Sequence, residues 1–245
     1  MATVAPPPPE IEYPSSDGEP MAETPVHRNV MADSIATLDA HFAADPDVYV
    51  SGNMMMYYVE GVPERCVSPD VFVTVGIPKR PEREIYQVWR EGKGPDAVIE
   101  VTSRSTARMD QRWKFELYRD VLKVREYFLF DPREKTLAGV SLVGYRLIDG
   151  EYQHIPKTDG RLVSEVLGLH LEASGEQLRF FDPQRGAYLL TPQEIRESRE
   201  REAAARAAAE EQAQREAAAR AAAEAETERL RREIETLRRA APPGP

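Results

Sequence analysis

Pro69-Asp70-Val71-Phe72-Val73 and, thirty residues after Asp70, Ala97-Val98-Ile99-Glu100-Val101 are two short apolar runs, each holding one carboxylate. Runs of this length, rich in Val, Ile and Phe and bounded by proline and glycine, read as buried strands. A carboxylate inside such a strand is costly to desolvate unless a metal ion, a cation or hydrogen bonds compensate it. If Asp70 begins one strand and Glu100 lies near the end of its neighbour, both carboxylates converge on one divalent ion. Hard oxygen ligands of this kind, with waters completing the shell, suit Mg2+ or Mn2+.

Downstream of Glu100 comes a polar turn, Thr102-Ser103-Arg104-Ser105-Thr106, rich in helix-capping residues. A helix from about Ala107 to Lys123 then sets Asp110 and Lys114 four apart on one face. A lysine beside a metal-bound water orients or deprotonates it, while the metal lowers that water's pKa and stabilises charge on a phosphoryl oxygen. Plainer readings exist for each residue taken singly. Asp70 could end a turn after Pro69, Glu100 could pair with Lys114 as a buried ion pair, and Asp110 with Lys114 could form a surface bridge. It is their joint arrangement that points to chemistry.

On either side, the pattern continues as an α+β fold. Thr24-Pro25 reads as an N-cap with proline at the first helical position, opening an amphipathic helix through Val26, Val30, Ile35, Leu38 and Phe42 to about Ala44. Val48–Val50, Met54–Val59, Val71–Val75 and Ala97–Val101 read as strands, and after the second helix Tyr127–Phe130 as another, ending at Asp131-Pro132. Gly139–Leu147, Tyr152–Ile155, Leu169–Glu172, Leu178–Phe181 and Ala187–Leu190 form a β-rich extension.

The flanks differ in composition. Residues 1–24 hold Pro6–Pro9, Pro14 and Pro20 with five acids and no base, the signature of a disordered arm. Residues 193–245 are almost wholly Glu, Arg, Ala and Gln up to Ala240, and REAAARAAAE occurs at 201–210 and again at 215–224. That composition predicts one long helix supported by Glu and Arg four apart, such as Glu202–Arg206, Glu211–Arg215 and Glu228–Arg232. Leu230, Ile234 and Leu237 have heptad spacing, but the seam leading back to Ile195 carries Glu202, Ala209, Glu216 and Ala223. A solvated single helix and a weak coiled coil both remain open, the latter allowing a homodimer through this helix, as the domain itself could also do. The folded domain is residues 25–192.

Several classes are excluded. Cys66 is the single cysteine, so there is no disulfide framework and no multi-thiolate zinc site. No apolar run reaches membrane-spanning length and the opening residues resemble no signal peptide, so the expected setting is cytoplasmic. There is no phosphate-binding G-x-x-x-x-G-K-[ST] and no G-x-S-x-G elbow. His27, His41, His154 and His170 are scattered without ligand spacing, which favours core or surface roles.

Taken together, Pro69-Asp70-Val71, the run from Pro95 to Thr106, Asp110, Lys114, Tyr118 and Glu126-Tyr127-Phe128-Leu129-Phe130-Asp131-Pro132 resemble the Uma-type restriction endonucleases, a branch of the PD-(D/E)xK nuclease superfamily. Asp17-Gly18-Glu19, His27, Gly160-Arg161-Leu162, Leu167-Gly168-Leu169 and Leu190-Thr191-Pro192 fit the same pattern. The resemblance implies a restriction-endonuclease-like core, a mixed sheet flanked by helices, that cuts phosphodiester bonds with Mg2+. It implies Asp70 and Glu100 as metal-binding carboxylates, with the backbone carbonyl of Val101 as a further ligand. Where the superfamily has its lysine, two residues after Glu100, stands Thr102, so Lys114 on the following helix becomes the candidate lysine. Glu19 or Glu23 would be an extra carboxylate near the site.

The function expected is therefore Mg2+- or Mn2+-dependent DNA cleavage by Asp70, Glu100 and Lys114. The alternative is a catalytically idle nuclease fold working as an interaction scaffold through its terminal helix. A two-carboxylate glycosidase is disfavoured because no aromatic lining surrounds Glu100. Taken whole, the net charge of −10 opposes nucleic-acid binding, but it divides as −5 in residues 1–24, −4 in 25–192 and −1 in the tail. Residues 102–125 hold seven bases against three acids. That local basic face predicts weak, salt-sensitive DNA binding rather than tight coating.

Overall fold

The computed structural model describes residues 11–16, 24–133 and 136–240. The chain separates into two units, Met1–Pro192 and Gln193–Pro245. In the first, α1 (Pro25–His41) begins as its sequence dictates: the Thr24 hydroxyl oxygen accepts from the His27 amide at 3.3 Å, and Pro25 occupies the first turn. Its buried residues, His27, Val30, Met31, Ser34, Thr37 and Leu38, recur every three or four positions and form one stripe against the sheet.

The strands follow as β1 (Val48–Ser51), β2 (Met56–Tyr57), β3 (Cys66–Val67), β4 (Val71–Val75) and β5 (Tyr86–Gln87), then the one-turn α2 (Val88–Glu91) and β6 (Ala97–Val101). After a helix come β7 (Glu126–Phe130), β8 (Leu142–Ile148), β9 (Glu151–His154), β10 (Lys157–Thr158), β11 (Arg161–Val163), β12 (His170–Ser174), β13 (Gln177–Asp182) and β14 (Ala187–Tyr188). The central sheet has the order β1-β4-β6-β7-β8-β9 and is mixed: β6 and β7 are parallel and the other pairs antiparallel. A parallel pair needs a crossover, and the helix between β6 and β7 provides it. The class is α+β, a mixed sheet with helices, as the sequence pattern predicts.

Side-chain alternation splits the core in two. Val71, Val73, Ala97, Ile99, Val101, Phe128 and Phe130 face α1 and the sheet β10-β11-β12-β13-β14, meeting Leu38, Leu162, Leu171 and Phe180. Phe72, Val98, Tyr127 and Leu129 face the crossover helix and the small sheet β3-β2-β5, meeting Tyr86, Leu117, Tyr118 and Leu122. Two glycines mark close approaches. A Cβ on Gly52 would lie 2.0 Å from the Asp70 carbonyl oxygen, and one on Gly144 would lie 2.9 Å from the Phe128 ring.

Several elements depart from the sequence reading. Within Met54–Val59, Met56 and Tyr57 pair as a strand, bracketed by Asn53 at φ 48° and the turn after Val59. The crossover helix is largely π-wound, over Met109–Lys114 and Leu117–Val121. The expected β-rich extension divides: β8 and β9 lengthen the central sheet, while β10–β14 make a sheet of their own. Glu126 joins the two, accepting from the Arg146 guanidinium, the Ser164 hydroxyl and the Glu165 amide. Of the segment read as a disordered arm, residues 11–16 are docked: Tyr13 packs edge-on to Tyr57 and accepts from the Gly61 amide at 2.7 Å. Residues 1–10 and 17–23 of that arm, Glu19 and Glu23 included, lie outside the described residues.

The second unit is occupied by α3 (Pro192–Ala240), a 49-residue helix of about 70 Å that begins at the last residue of the first unit. The expected pairs Glu211–Arg215 and Glu228–Arg232 form, while Arg201 turns to Glu197 and Arg229 to Glu226. Leu230 and Ile234 stay about half exposed. Among the described residues no helix is long and apolar enough to cross a membrane.

Candidate active site

β4 and β6 run antiparallel with Val71 opposite Ile99, and continuing that register by one residue sets Asp70 opposite Glu100. Both fall on the crossover-helix face by alternation with Phe72 and Val98. The Asp70 amide lies 3.4 Å from Glu100 Oε2, and Asp70 Oδ2 accepts from the Val101 amide at 2.7 Å. The strand pair thus brings together Asp70, Glu100 and Val101.

The crossover helix delivers the cation. Lys114 Nζ lies 2.8 Å from Glu100 Oε2 and 3.5 Å from Asp110 Oδ1. Four residues on, the Tyr118 hydroxyl donates to Glu100 Oε1 at 2.7 Å. Asp110, Lys114 and Tyr118 are spaced by four, a period between the 3.6 of an α-helix and the wider π turn. The mixed winding therefore holds all three in a line, whereas a pure α-helix would carry Tyr118 about 80° away from Asp110. Tyr127 on β7 ties the helix down by donating to the Asp110 carbonyl at 2.9 Å.

Thr102, two residues after Glu100, donates its hydroxyl to Asp110 Oδ2 at 3.1 Å. His27 on α1 completes the group, with Nε2 3.3 Å from Asp70 Oδ2. Its proximity corrects the expectation of a core or surface role: the histidine is buried, but against a site carboxylate. The available signal was its place in the first turn of a helix whose next apolar residues face the sheet. Tyr118 was legible as part of a motif, but its contact with Glu100 depends on the π winding.

The electrostatics follow from burial. Glu100 is fully buried, Asp110 and Lys114 nearly so, and Asp70 is partly open. Burial pushes Glu100 up to about 8 despite the Lys114 charge, and burial likewise raises Asp110. Lys114 is also desolvated, yet Glu100, Asp110 and Asp70 outweigh that and hold its ammonium above the ordinary lysine range. For Asp70, burial works against ionisation, but the His27 hydrogen bond, the Lys114 charge and the Val101 amide bring it below the usual range. Three carboxylates thus gather round one ammonium, which they keep charged.

Among the described residues, no three His, Cys, Asp or Glu side chains surround one point as a metal would need. Lys114 takes that place instead. The donor chemistry nonetheless fits a hard divalent ion. Mg2+ binds through one or two carboxylates plus substrate phosphates and waters, and Asp110 Oδ1 is a buried carboxylate oxygen with no hydrogen-bond partner. A cavity of about 440 Å3 opens beside Asp70, lined by His27, Thr102, Ser103, Arg104 and Arg133. Larger hollows of about 630 and 760 Å3 border Tyr13 and Ile35 and touch none of the site carboxylates.

Comparison with known proteins points to one family. A family model described as "Uma2: Putative restriction endonuclease" matches residues 2–180. Among solved structures, one described as a "putative nuclease belonging to DUF820" from Anabaena variabilis matches at 16% identity and a TM-score of 0.45, covering 67% of this chain and 89% of that one. No curated protein matches.

Proposed function

The chain belongs to the Uma2 restriction endonuclease family, and on that premise we propose that it is a nuclease hydrolysing DNA phosphodiesters with Mg2+ or Mn2+ at Asp70, Glu100 and Lys114. The observation that carries this reading is the meeting of carboxylates from two neighbouring strands with a buried lysine at the edge of a cavity. Asp70 and Glu100 would hold the ion, with the Val101 carbonyl as the next oxygen along β6. The bound ion would lower the pKa of a water and stabilise charge on the phosphoryl oxygen.

The protein's own residues do the rest. Asp70, held ionised by His27, Lys114 and the Val101 amide, is the more open of the two carboxylates and faces the cavity. Tyr118 fixes the orientation of the Glu100 carboxyl. Lys114, kept charged, places its ammonium protons toward developing negative charge, and Asp110 with Thr102 sets its position. Purified protein with Mn2+ or Mg2+ is expected to nick or cut DNA, and Asp70→Ala, Glu100→Ala and Lys114→Ala each to abolish cutting while the domain stays folded. Full cutting by the Glu100→Ala protein would sink the assignment.

One observation favours a second reading, an idle scaffold acting through α3: both Glu100 oxygens are already satisfied by Lys114 and Tyr118. Calorimetric titration with Mn2+ separates the two. An idle scaffold shows no site lost on Glu100→Ala.

A further inference from the structure

The crossover helix turns Asp110, Lys114 and Tyr118 inward, and its outward side carries an unusual pairing. Trp113 and Met109, four apart, are 43% and 49% exposed. Beside them run Arg104, Arg108 and Arg112, again at intervals of four and all exposed. Among the described residues these three arginines have no acidic partner. Elsewhere in the same unit several arginines are held, Arg83 by Glu91, Arg146 by Glu126, Arg161 by Glu172 and Arg119 by Asp120, and those without an acidic partner among the described residues, Arg28, Arg65 and Arg90, do not line up at intervals of four. The row begins at the cavity, since Arg104 lines it together with Asp70.

A half-exposed tryptophan within an arginine row suits one kind of partner. One helical turn advances roughly 5 Å, comparable to the distance between successive phosphates of one strand; it separates Arg108 from Arg112, and Arg104 stands in the turn just before the helix. A base presents an aromatic face to Trp113 only if it is unpaired, because duplex stacking hides it. A protein partner would need acids to meet three guanidiniums that have no acidic partner among the described residues. It would have no reason to start its track at the cavity of the carboxylates.

We infer that this face binds a single DNA strand, with Arg104, Arg108 and Arg112 on consecutive phosphates and Trp113 stacked on an unpaired base, leading the strand into the cavity beside Asp70. The inference rests on the nuclease reading and names its substrate class: single-stranded DNA, or a duplex with an unpaired end or gap.

The test is binding without turnover. The full-length protein in EDTA is titrated into a fluorescently labelled single-stranded oligonucleotide and into its duplex, and anisotropy is read across a salt series. Single-strand binding is expected to be tighter than duplex binding, and Trp113→Ala to weaken it about tenfold while Trp113→Phe stays near wild type. Arg108→Ala with Arg112→Ala is expected to lower the log–log salt slope by about 1.4, roughly 0.7 for each phosphate no longer neutralised. Unchanged affinity in Trp113→Ala, a preference for duplex, or no single-strand binding by the wild type at low salt would each overturn it. Adding Mn2+ afterwards separates the two readings. Cutting with a dispensable Trp113 leaves the nuclease and removes this face, whereas Trp113-dependent binding without cutting leaves this face and removes the nuclease.

Discussion

Lys114 is the residue on which the site's charge balance turns. Removing it leaves Glu100 and Asp110 facing each other in the interior without a counter-charge, so Lys114→Met is expected to destabilise the fold by about 3–5 kcal/mol, the usual result of breaking a buried pair. Adding Glu100→Gln removes the buried carboxyl that Lys114 paired with and is expected to recover about half of that loss, a non-additivity typical of direct contact. Urea unfolding of the two single variants and the double variant measures it. Additive losses would mean that the two side chains do not share an interaction. The carboxylates and the lysine were legible from the sequence because apolar strands rarely tolerate a lone acid. His27 was not, because its partner lies 43 residues away and nothing local marks the contact.

At the scale of elements, the site depends on how closely the strand end approaches its neighbours. Gly52 follows β1, and a Cβ there would overlap the Asp70 carbonyl at 2.0 Å and crowd Ile35 at 2.8 Å. Gly52→Ala is expected to cost about 3 kcal/mol, at the upper end of overpacking effects, and to displace the backbone that carries Asp70. Gly144→Ala meets the buried Phe128 ring at 2.9 Å and Leu162 at 3.0 Å, side chains rather than backbone, and is expected to cost about 2 kcal/mol. Thermal melts with cleavage assays distinguish them: only Gly52→Ala should lose activity at temperatures where both proteins are folded. The longer strands were legible because an apolar run between prolines and glycines is a local signal, whereas the two- and three-residue strands β3, β5, β10 and β11 were not. The π winding was not, since it is set by where Asp110, Lys114 and Tyr118 must meet Glu100 across the sheet.

For the whole molecule, two outcomes follow from burial. Tyr86 is pushed up to about 12, mainly by burial, and burial raises Tyr57, Tyr118, Tyr127 and Tyr152 as well. The unfolded chain releases its phenolic protons near pH 10 while the folded chain keeps them. Stability therefore falls as pH rises past about 10. Phenolate absorbance should appear together with loss of tertiary circular dichroism, and smooth titration of these tyrosines in a folded protein would contradict it. The helix α3 is exposed throughout residues 201–236, so a chain ending at Pro192 is expected to keep its melting temperature within a few degrees and lose much of its helical signal. A large drop in melting temperature would show that the first unit needs the helix.

While the short strands β3, β5, β10 and β11 carry no run long enough to read, local pattern alone located the longer strands, the capped first helix and the long terminal helix and singled out Asp70, Glu100 and Lys114. Each of these rests on a periodicity, a cap or a desolvation argument contained in neighbouring residues. Only the tertiary structure decided that β4 and β6 lie in a register opposing the two carboxylates, that Lys114 stands between Glu100 and Asp110, and that His27 closes on Asp70. It also left Arg104, Arg108 and Arg112 beside Trp113 with no acidic partner among the described residues. Such facts depend on which distant surfaces are pressed together, and burial, not local propensity, sets the charge state of what lies between them.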